Sequence, residues 1–342
     1  MIHTFFRRVE VDGLERLPTT GPVITVANHA NGLVDGLLLM SKLPRWPRFL
    51  GKATLFRIAP LKPFLRWAGV IPVHRAKDAK PSDADRAALN EATFAACRQL
   101  LGEGSLVAIF PEGISHDHPT LQPLRTGAAR IALAAAAEGA TTLRIVPIGL
   151  AYDAKSTFRS HAVVTIGDPI AVERWAAEYE ADDRAAVRSC TEAITEGLHN
   201  VSPDDADVPA PMAVTRRLRF TTAVRAARRV APRPALVAAA PVALIGALVH
   251  AAPYQLIKRL ARFPKGESIR STVKLLGCTV LFLIEWSTIA GVIWRRRGPL
   301  PAAVAFVACP VSGYVAVRFA EALRDASPTT INAPIGEVEG PA

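Results

Sequence analysis

Cysteine is scarce and scattered. Cys97, Cys190, Cys278 and Cys309 stand far apart in a chain of 342 residues, and no two form a CxxC pair. That argues against a disulfide scaffold and against a cysteine-based zinc site. No G-x-S-x-G elbow occurs anywhere, which weakens a hydrolase reading. Gly102-Glu103-Gly104 precedes a strand candidate rather than following one, so it is not a dinucleotide loop. Charged residues are 21% of the chain and apolar ones 50%, which argues against a long disordered chain. Aromatics are 6% and no nucleic-acid reader motif is present, so nucleic acid is the weaker reading of the positive charge. The first 18 residues lack the apolar core of a secretory signal peptide, and the chain is expected to begin in the cytoplasm.

The charge that is present is unevenly spread. Of the net +11, residues 213–342 carry 18 Lys and Arg against 6 Asp and Glu, while residues 1–212 carry 23 against 24. The basic excess therefore lies where the long apolar runs lie, and basic residues beside apolar runs point to an anionic membrane surface. The mean hydropathy of +0.22 is high for a freely soluble enzyme.

Residues 1–200 alternate short β-rich runs with helical stretches, the pattern of an α/β layer fold. Strands are expected at residues 9–11, 23–27, 49–52, 70–73, 106–110, 145–151 and 163–166, with helices at 33–43, 82–101, 127–138 and 173–198. Residues 202–211 hold three prolines and three aspartates and read as a linker. An arginine-rich helix candidate at 212–233 follows, then apolar runs at 235–257, 275–294 and 302–317. A crossing needs about 20 apolar residues, so the second run is the best candidate and the third is marginal. Lys258 to Lys274 carries six basic residues and Arg295-Arg296-Arg297 sits between the last two runs. The positive-inside preference favours shallow hairpins entering from one face, with a two-helix hairpin as the rival. Glu285 is expected to serve as a structural partner for a nearby arginine.

Four short blocks carry the chemistry. Asn28-His29-Ala30-Asn31-Gly32-Leu33-Val34-Asp35 follows a buried strand and opens a helix, which places His29 at the crevice of an α/β sheet. A carboxylate six residues on can fix the ring's tautomer and leave the other nitrogen to take a proton. The bland alternative is a histidine capping a strand end and an aspartate near a helix start. Phe110-Pro111-Glu112-Gly113-Ile114-Ser115-His116-Asp117 again ends a buried strand, where backbone N–H groups can meet an anion or a hydroxyl. Gly69-Val70-Ile71-Pro72-Val73-His74-Arg75 delivers an arginine at a strand end, and Leu124-Arg125-Thr126-Gly127 sets Arg125 before a helix, a plausible phosphate site. Arg75 and Arg125 as surface arginines, and Glu112 as a capping residue, are the alternatives. His116-Asp117-His118 reads as a loop rather than a metal site.

In their order, these blocks and Val146-Pro147-Ile148 resemble the glycerophospholipid acyltransferases of the PlsC type: a His–Asp block, a strand ending in Arg, FPEG, then a V-P-I strand. The resemblance covers residues 9–170, and the four blocks together are specific although each alone is weak. The stretch from Arg125 to Leu133 and the SHD after FPEG look most like the fungal-type glycerol-3-phosphate/dihydroxyacetone-phosphate acyltransferases. Five residues separate His29 from Asp35 where most of the family has four. Ile114-Ser115-His116 stands where the common form has Thr-Arg-Ser. The arginine usually credited with acceptor binding is therefore absent, and Arg125 is the candidate to replace it.

The resemblance implies a mixed sheet flanked by helices, placed over residues 1–201; composition and apolar runs add a linker at 202–212, a basic, apolar membrane-anchoring region at 213–325 and a disordered tail at 326–342. It implies acyl transfer from acyl-CoA or acyl carrier protein to a hydroxyl of glycerol-3-phosphate or 1-acylglycerol-3-phosphate, in phospholipid biosynthesis. His29 would be general base and Asp35 its partner, with Asn28, Arg75, Glu112, Gly113, Ser115 and Arg125 binding substrate. No cofactor or metal is implied. The expected partners are the thioester donor, the lipid acceptor and a membrane, not nucleic acid, with the catalytic domain on the cytoplasmic face. The alternatives are a non-catalytic lipid-binding scaffold on the same fold, or acylation of a lysophospholipid or glycolipid.

Overall fold

The computed structural model describes residues 2–57, 62–73, 83–118, 120–202, 233–264 and 266–326. The chain divides into two compact units, residues 1–219 with 264–272, and residues 220–263 with 273–342.

The first unit is built on one sheet of eight strands. They are β1 (Phe6–Asp12), β2 (Val23–Ala27), β3 (Arg48–Lys52), β4 (Ile71–Val73), β5 (Leu106–Ile109), β6 (Arg144–Tyr152), β7 (Ser160–Ile166) and β8 (Ile170–Ala171). The order is β1-β7-β6-β2-β5-β3-β4, with β8 paired to β6. Neighbours run parallel except that β6 is antiparallel to β7 and to β8, so the sheet is mixed, as the sequence indicated. The helices of this unit are α1 (Ile2–Phe5), α2 (Leu33–Lys42), α3 (Lys62–Trp67), α4 (Asp83–Gly102), α5 (Gly127–Ala137), α6 (Ala176–Ala181) and α7 (Asp183–Val201).

The central strands are continuous apolar runs because both faces of the sheet are covered. Every residue of β2 and of β5 is buried. Ile24, Val26, Val107, Ile109 and Ile145 share one core with Leu101 of α4, Ile131 of α5 and Ile194 and Leu198 of α7. The alanines of α5 at 128, 129, 132 and 135 are buried beside them. Gly149 of β6 is needed for a different reason: a Cβ there would collide with the carbonyl oxygen of Val201, at the end of α7.

The helix expected at 173–198 is in fact a 3-10 turn (Val172–Trp175) followed by α6 and α7. Asp182 causes the break. It is extended at φ −150°, and its side chain accepts from the N–H groups of Arg184 at 2.9 Å and Ala185 at 3.0 Å. An aspartate that caps a new helix cannot continue the old one. The region from 74 to 82 lies outside the described residues, and Arg75 with it.

The second unit holds α8 (Arg233–Val249), α9 (Ala251–Leu260), α10 (Glu267–Arg297) from Val273 onward, and α11 (Pro299–Ala326). Two helices, α10 and the stretch Pro299–Leu323, are long and apolar enough to cross a membrane. The pair Pro234–Val249 and Ala251–Leu260, bent by 50°, would be a third if it forms one span. The run at 302–317 is therefore longer than its apolar core suggested, since helix continues on both sides of it and through Pro310. Unbroken, α10 is about 46 Å long at 1.5 Å per residue. Arg270 and Lys274 stand near its start and Arg295-Arg296-Arg297 closes it. Gly298 (φ +89°) turns the chain, and Trp286 and Phe306 meet edge to face at 6.5 Å across the turn. Gly246 of α8 lets the backbone of Ser312 in α11 approach closely. The neighbour of Glu285 is His250 at 3.9 Å rather than an arginine. His250 itself receives the indole N–H of Trp286 at 2.9 Å and binds the carbonyl of Gly246 at 2.8 Å. Apart from Ser202 and Arg233, the linker and the arginine-rich segment lie outside the described residues, as does the tail after residue 326.

Replacing Gly149 by Ala should destabilise the first unit by about 1–3 kcal/mol, the usual cost of overpacking. A thermal melt of the variant should show a lowered midpoint. An unchanged midpoint would mean that α7 is not seated on β6 as described.

Candidate active site

β2 and β5 are parallel neighbours, with Val26 opposite Ile109. Their C-terminal ends therefore open side by side, and the residues after each strand must meet. β6 flanks β2 on the other side, with Ala27 opposite Ile148. Asn28 extends this pairing through its side chain. Its Oδ1 accepts from Leu150 N–H at 2.7 Å and its Nδ2 donates to Leu150 O at 3.0 Å. Asn28, expected to bind substrate, is thus a strut that satisfies buried backbone groups of β6.

His29 follows directly. Its Nδ1 lies 2.9 Å from Asp35 Oδ2. That same oxygen accepts the N–H of Asn31 at 2.7 Å, and Oδ1 accepts the hydroxyl of Tyr152 at 2.5 Å. The Asp35 side chain is fully buried, while His29 keeps 16% of its side chain exposed. Burial, and then the negative charge of Asp35, push the Tyr152 phenol well above its usual range, so Tyr152 stays a donor. An ionised Asp35 can accept only, so Nδ1 carries the proton and Nε2 is left with its lone pair. The imidazole lies against Phe110 at 4.1 Å, the two planes 11° apart.

Glu112 ties the two loops together. Its Oε1 accepts the His29 N–H at 2.6 Å, and its Oε2 accepts the Gln122 N–H at 3.0 Å and pairs with His116 Nε2. Glu112 is buried, and both its oxygens serve the protein rather than an open site. Ser115 Oγ accepts the Gly32 N–H at 3.0 Å. Asp117 accepts from Glu267 N–H at 2.8 Å and Ser268 N–H at 3.2 Å. Among the described residues, no three His, Cys, Asp or Glu side chains are placed to hold a metal ion.

A cleft of about 320 Å³ opens beside the histidine. His29, Gly113, Arg125 and Arg130 line one part of it, and Leu50, Val73, Phe94, Ile109, Phe110 and Ile131 give it an apolar remainder. Gly113 sits at φ +74°, a conformation that favours glycine, and a Cβ there would push aside the Arg125 side chain lying over it. Arg125 is exposed and has no side-chain partner among the described residues. Of the expected residues, His29, Gly113 and Arg125 meet at the cleft with Asp35 behind. Asn28, Glu112 and Ser115 are committed to protein partners instead.

Two participants were not picked out in the sequence. Tyr152 reaches Asp35 from the far end of β6, 117 positions away, a contact that only sheet order creates. Arg130 stood within a stretch already noted, and on α5 it lines the cleft beside the Phe94 ring at 5.8 Å.

Residues 8–151 match the family model described as Acyltransferase, a segment that spans the whole site apart from Tyr152 and the SHD contacts beyond it. The resemblance to PlsC-type acyltransferases is thereby borne out. Over 140 residues the chain is 36% identical to glycerol-3-phosphate O-acyltransferase 2 of Saccharomyces cerevisiae, covering 40% of this chain and 19% of that protein. It is 26% identical over 300 residues to an uncharacterized acyltransferase of Schizosaccharomyces pombe, covering 63% of this chain and 44% of that one. It is 31% identical over 150 residues to a chloroplastic 1-acyl-sn-glycerol-3-phosphate acyltransferase of Brassica napus, covering 42% and 38%. The chain spans less than half the length of these relatives.

Tyr152→Phe keeps the ring beside Phe6 but leaves the buried Oδ1 of Asp35 without its donor. The variant should lose about 1–3 kcal/mol of stability, read as a lowered denaturation midpoint. Wild-type stability would mean that water or another donor takes the place of the phenol.

Proposed function

We propose that this protein is an O-acyltransferase that moves a fatty acyl group from acyl-CoA or acyl carrier protein to a hydroxyl of glycerol-3-phosphate or 1-acylglycerol-3-phosphate. The observation that carries the reading is the His29–Asp35 pair at the rim of an apolar cleft that also holds two arginines. The yeast and plant relatives, a glycerol-3-phosphate O-acyltransferase and a 1-acyl-sn-glycerol-3-phosphate acyltransferase, favour the same chemistry.

In this reading Nε2 of His29 takes the proton from the acceptor hydroxyl as its oxygen attacks the thioester carbonyl. The C–S bond breaks as the tetrahedral carbon collapses, and the thiolate takes the proton back from the imidazolium. Asp35 holds the ring in the required tautomer and stabilises its charged form. Arg125, and Arg130 with it, supply fixed positive charge for phosphate, and the apolar wall receives the acyl chain. The helices α10 and α11 keep the protein at a membrane, where acyl donors and lipid products concentrate. The basic excess of residues 213–342 favours a catalytic unit on the cytoplasmic face. An acceptor other than glycerol-3-phosphate stays in view because Ser115, His116 and Asp117 are occupied internally, leaving the choice of acceptor to the arginines.

His29→Ala should lower acceptor-dependent release of free thiol from acyl-CoA by about 10²–10⁴-fold, the range for a lost general base. Normal turnover in that variant would end the reading. The wild-type protein, screened with glycerol-3-phosphate, 1-acylglycerol-3-phosphate and a lysophospholipid, should prefer one of the first two. Release with none of them would favour a scaffold. Arg125→Ala should raise KM for a phosphorylated acceptor about tenfold or more, the weight of one hydrogen-bonded charge pair.

A further inference from the structure

The segment Ser115-His116-Asp117 departs from the common continuation of FPEG, and each of its three side chains has a defined partner. Ser115 takes the N–H of Gly32, His116 pairs with Glu112, and Asp117 takes the N–H groups of Glu267 and Ser268. The last contact joins positions 150 residues apart. Helix α10 begins after Gly266, which has no side chain to cap the first turn. Asp117 supplies the missing acceptor from another part of the fold, and its negative charge also suits a helix N-terminus. Gly266 sits at φ +103°, and a Cβ there would crowd Asp117 Oδ2 at 3.0 Å.

The first turn of α10 thus held lies against the catalytic turn. A Cβ on Gly32 would lie 3.2 Å from Thr272 Oγ1 and 3.4 Å from Ser268 O. Ser271 Oγ donates to Lys155 O at 2.8 Å, and Asn31 Nδ2 reaches the same carbonyl at 3.3 Å. Ser268 and Ser271 are buried. Asn31 and Gly32 lie within the five-residue spacing between His29 and Asp35, with Gly32 at φ +57°. Asn31 is also the residue whose N–H binds Asp35 Oδ2. The longer spacing is therefore enclosed on one side by Ser115 and on another by the start of α10.

We propose that residues 267–272 complete the wall of the catalytic turn, and that Asp117, by capping them, is a positioning residue for the His29–Asp35 pair. This rests on the proposed role of that pair as the general-base unit. Asp117 reaches no substrate; it acts through α10, Gly32 and Asn31. The segment that matches the family model, which ends at residue 151, is then insufficient by itself for activity, because the turn it contains is closed by residues more than a hundred positions later.

The test is steady-state thiol release by the full-length chain in phospholipid vesicles, with acyl-CoA and the acceptor found best for the wild type. Asp117→Ala should lower kcat about tenfold to a hundredfold, the scale of a small misplacement of a catalytic group, with KM for both substrates changed less than about twofold. Asp117→Asn keeps an acceptor oxygen at the helix start and should restore most of kcat. Ser115→Ala should shift kcat in the same direction as Asp117→Ala. If Asp117→Ala lowers only the melting midpoint, or raises KM at unchanged kcat, the positioning role is wrong. If Asp117→Ala does not fold, Asp117→Asn and Ser115→Ala decide: Ser115→Ala at wild-type kcat would overturn the proposal. His29→Ala, run beside them, separates the two claims. Activity surviving in His29→Ala refutes the general-base reading; loss there with unchanged Asp117 variants refutes only the positioning role.

Discussion

The site depends on one buried carboxylate. Asp35 is fully enclosed, and its two oxygens take a ring N–H, a backbone N–H and a phenol. An ionised carboxylate in such a place is tolerable only when its acceptor sites are filled by donors. The donors come from the turn, from the histidine and from the end of β6. The constraint runs both ways: the donors hold the charge in place, and the charge selects the Nδ1–H tautomer that leaves Nε2 basic toward the cleft.

Two further carboxylates repeat the device at the next shell of distance. Glu112 fixes the backbone of His29 against the loop after β5 and gathers Gln122 and His116. Asp117 fixes the start of α10. None of the three faces the open cleft, where the charges are the positive ones of Arg125 and Arg130. Negative charge is used inside the walls to order backbone, and positive charge is left where a phosphate can reach it. The apolar lining between them is of the kind an acyl chain would occupy.

Much of this was legible in the sequence because its elements are locally determined. The buried strands β2 and β5 show as unbroken apolar runs, and the residues that follow them are necessarily at a sheet edge. That placement put His29 at the sheet edge, but the His29–Asp35 pair could be named only through the resemblance carried by the four blocks together. What sequence did not disclose was long-range: Tyr152 beneath Asp35 and Asp117 on α10. The same limit explains Asn28, Glu112 and Ser115, whose polar side chains looked free to bind substrate until sheet order supplied Leu150, His29 and Gly32 as partners. The break at Asp182 was missed because the amphipathic pattern continues through it, whereas the cap depends on one residue's backbone.

The central claim is that His29 and Asp35 act as one unit, and comparing Asp35→Asn with the His29→Ala/Asp35→Asn double variant in the thiol-release assay tests it most directly. Asparagine preserves shape but can present an N–H to the ring and so favour the wrong tautomer. The account predicts that Asp35→Asn loses about a hundredfold or more in kcat, and that the double variant is no slower than His29→Ala alone, as expected of groups that act together. Near-normal turnover in Asp35→Asn, or losses that multiply in the double variant, would contradict it.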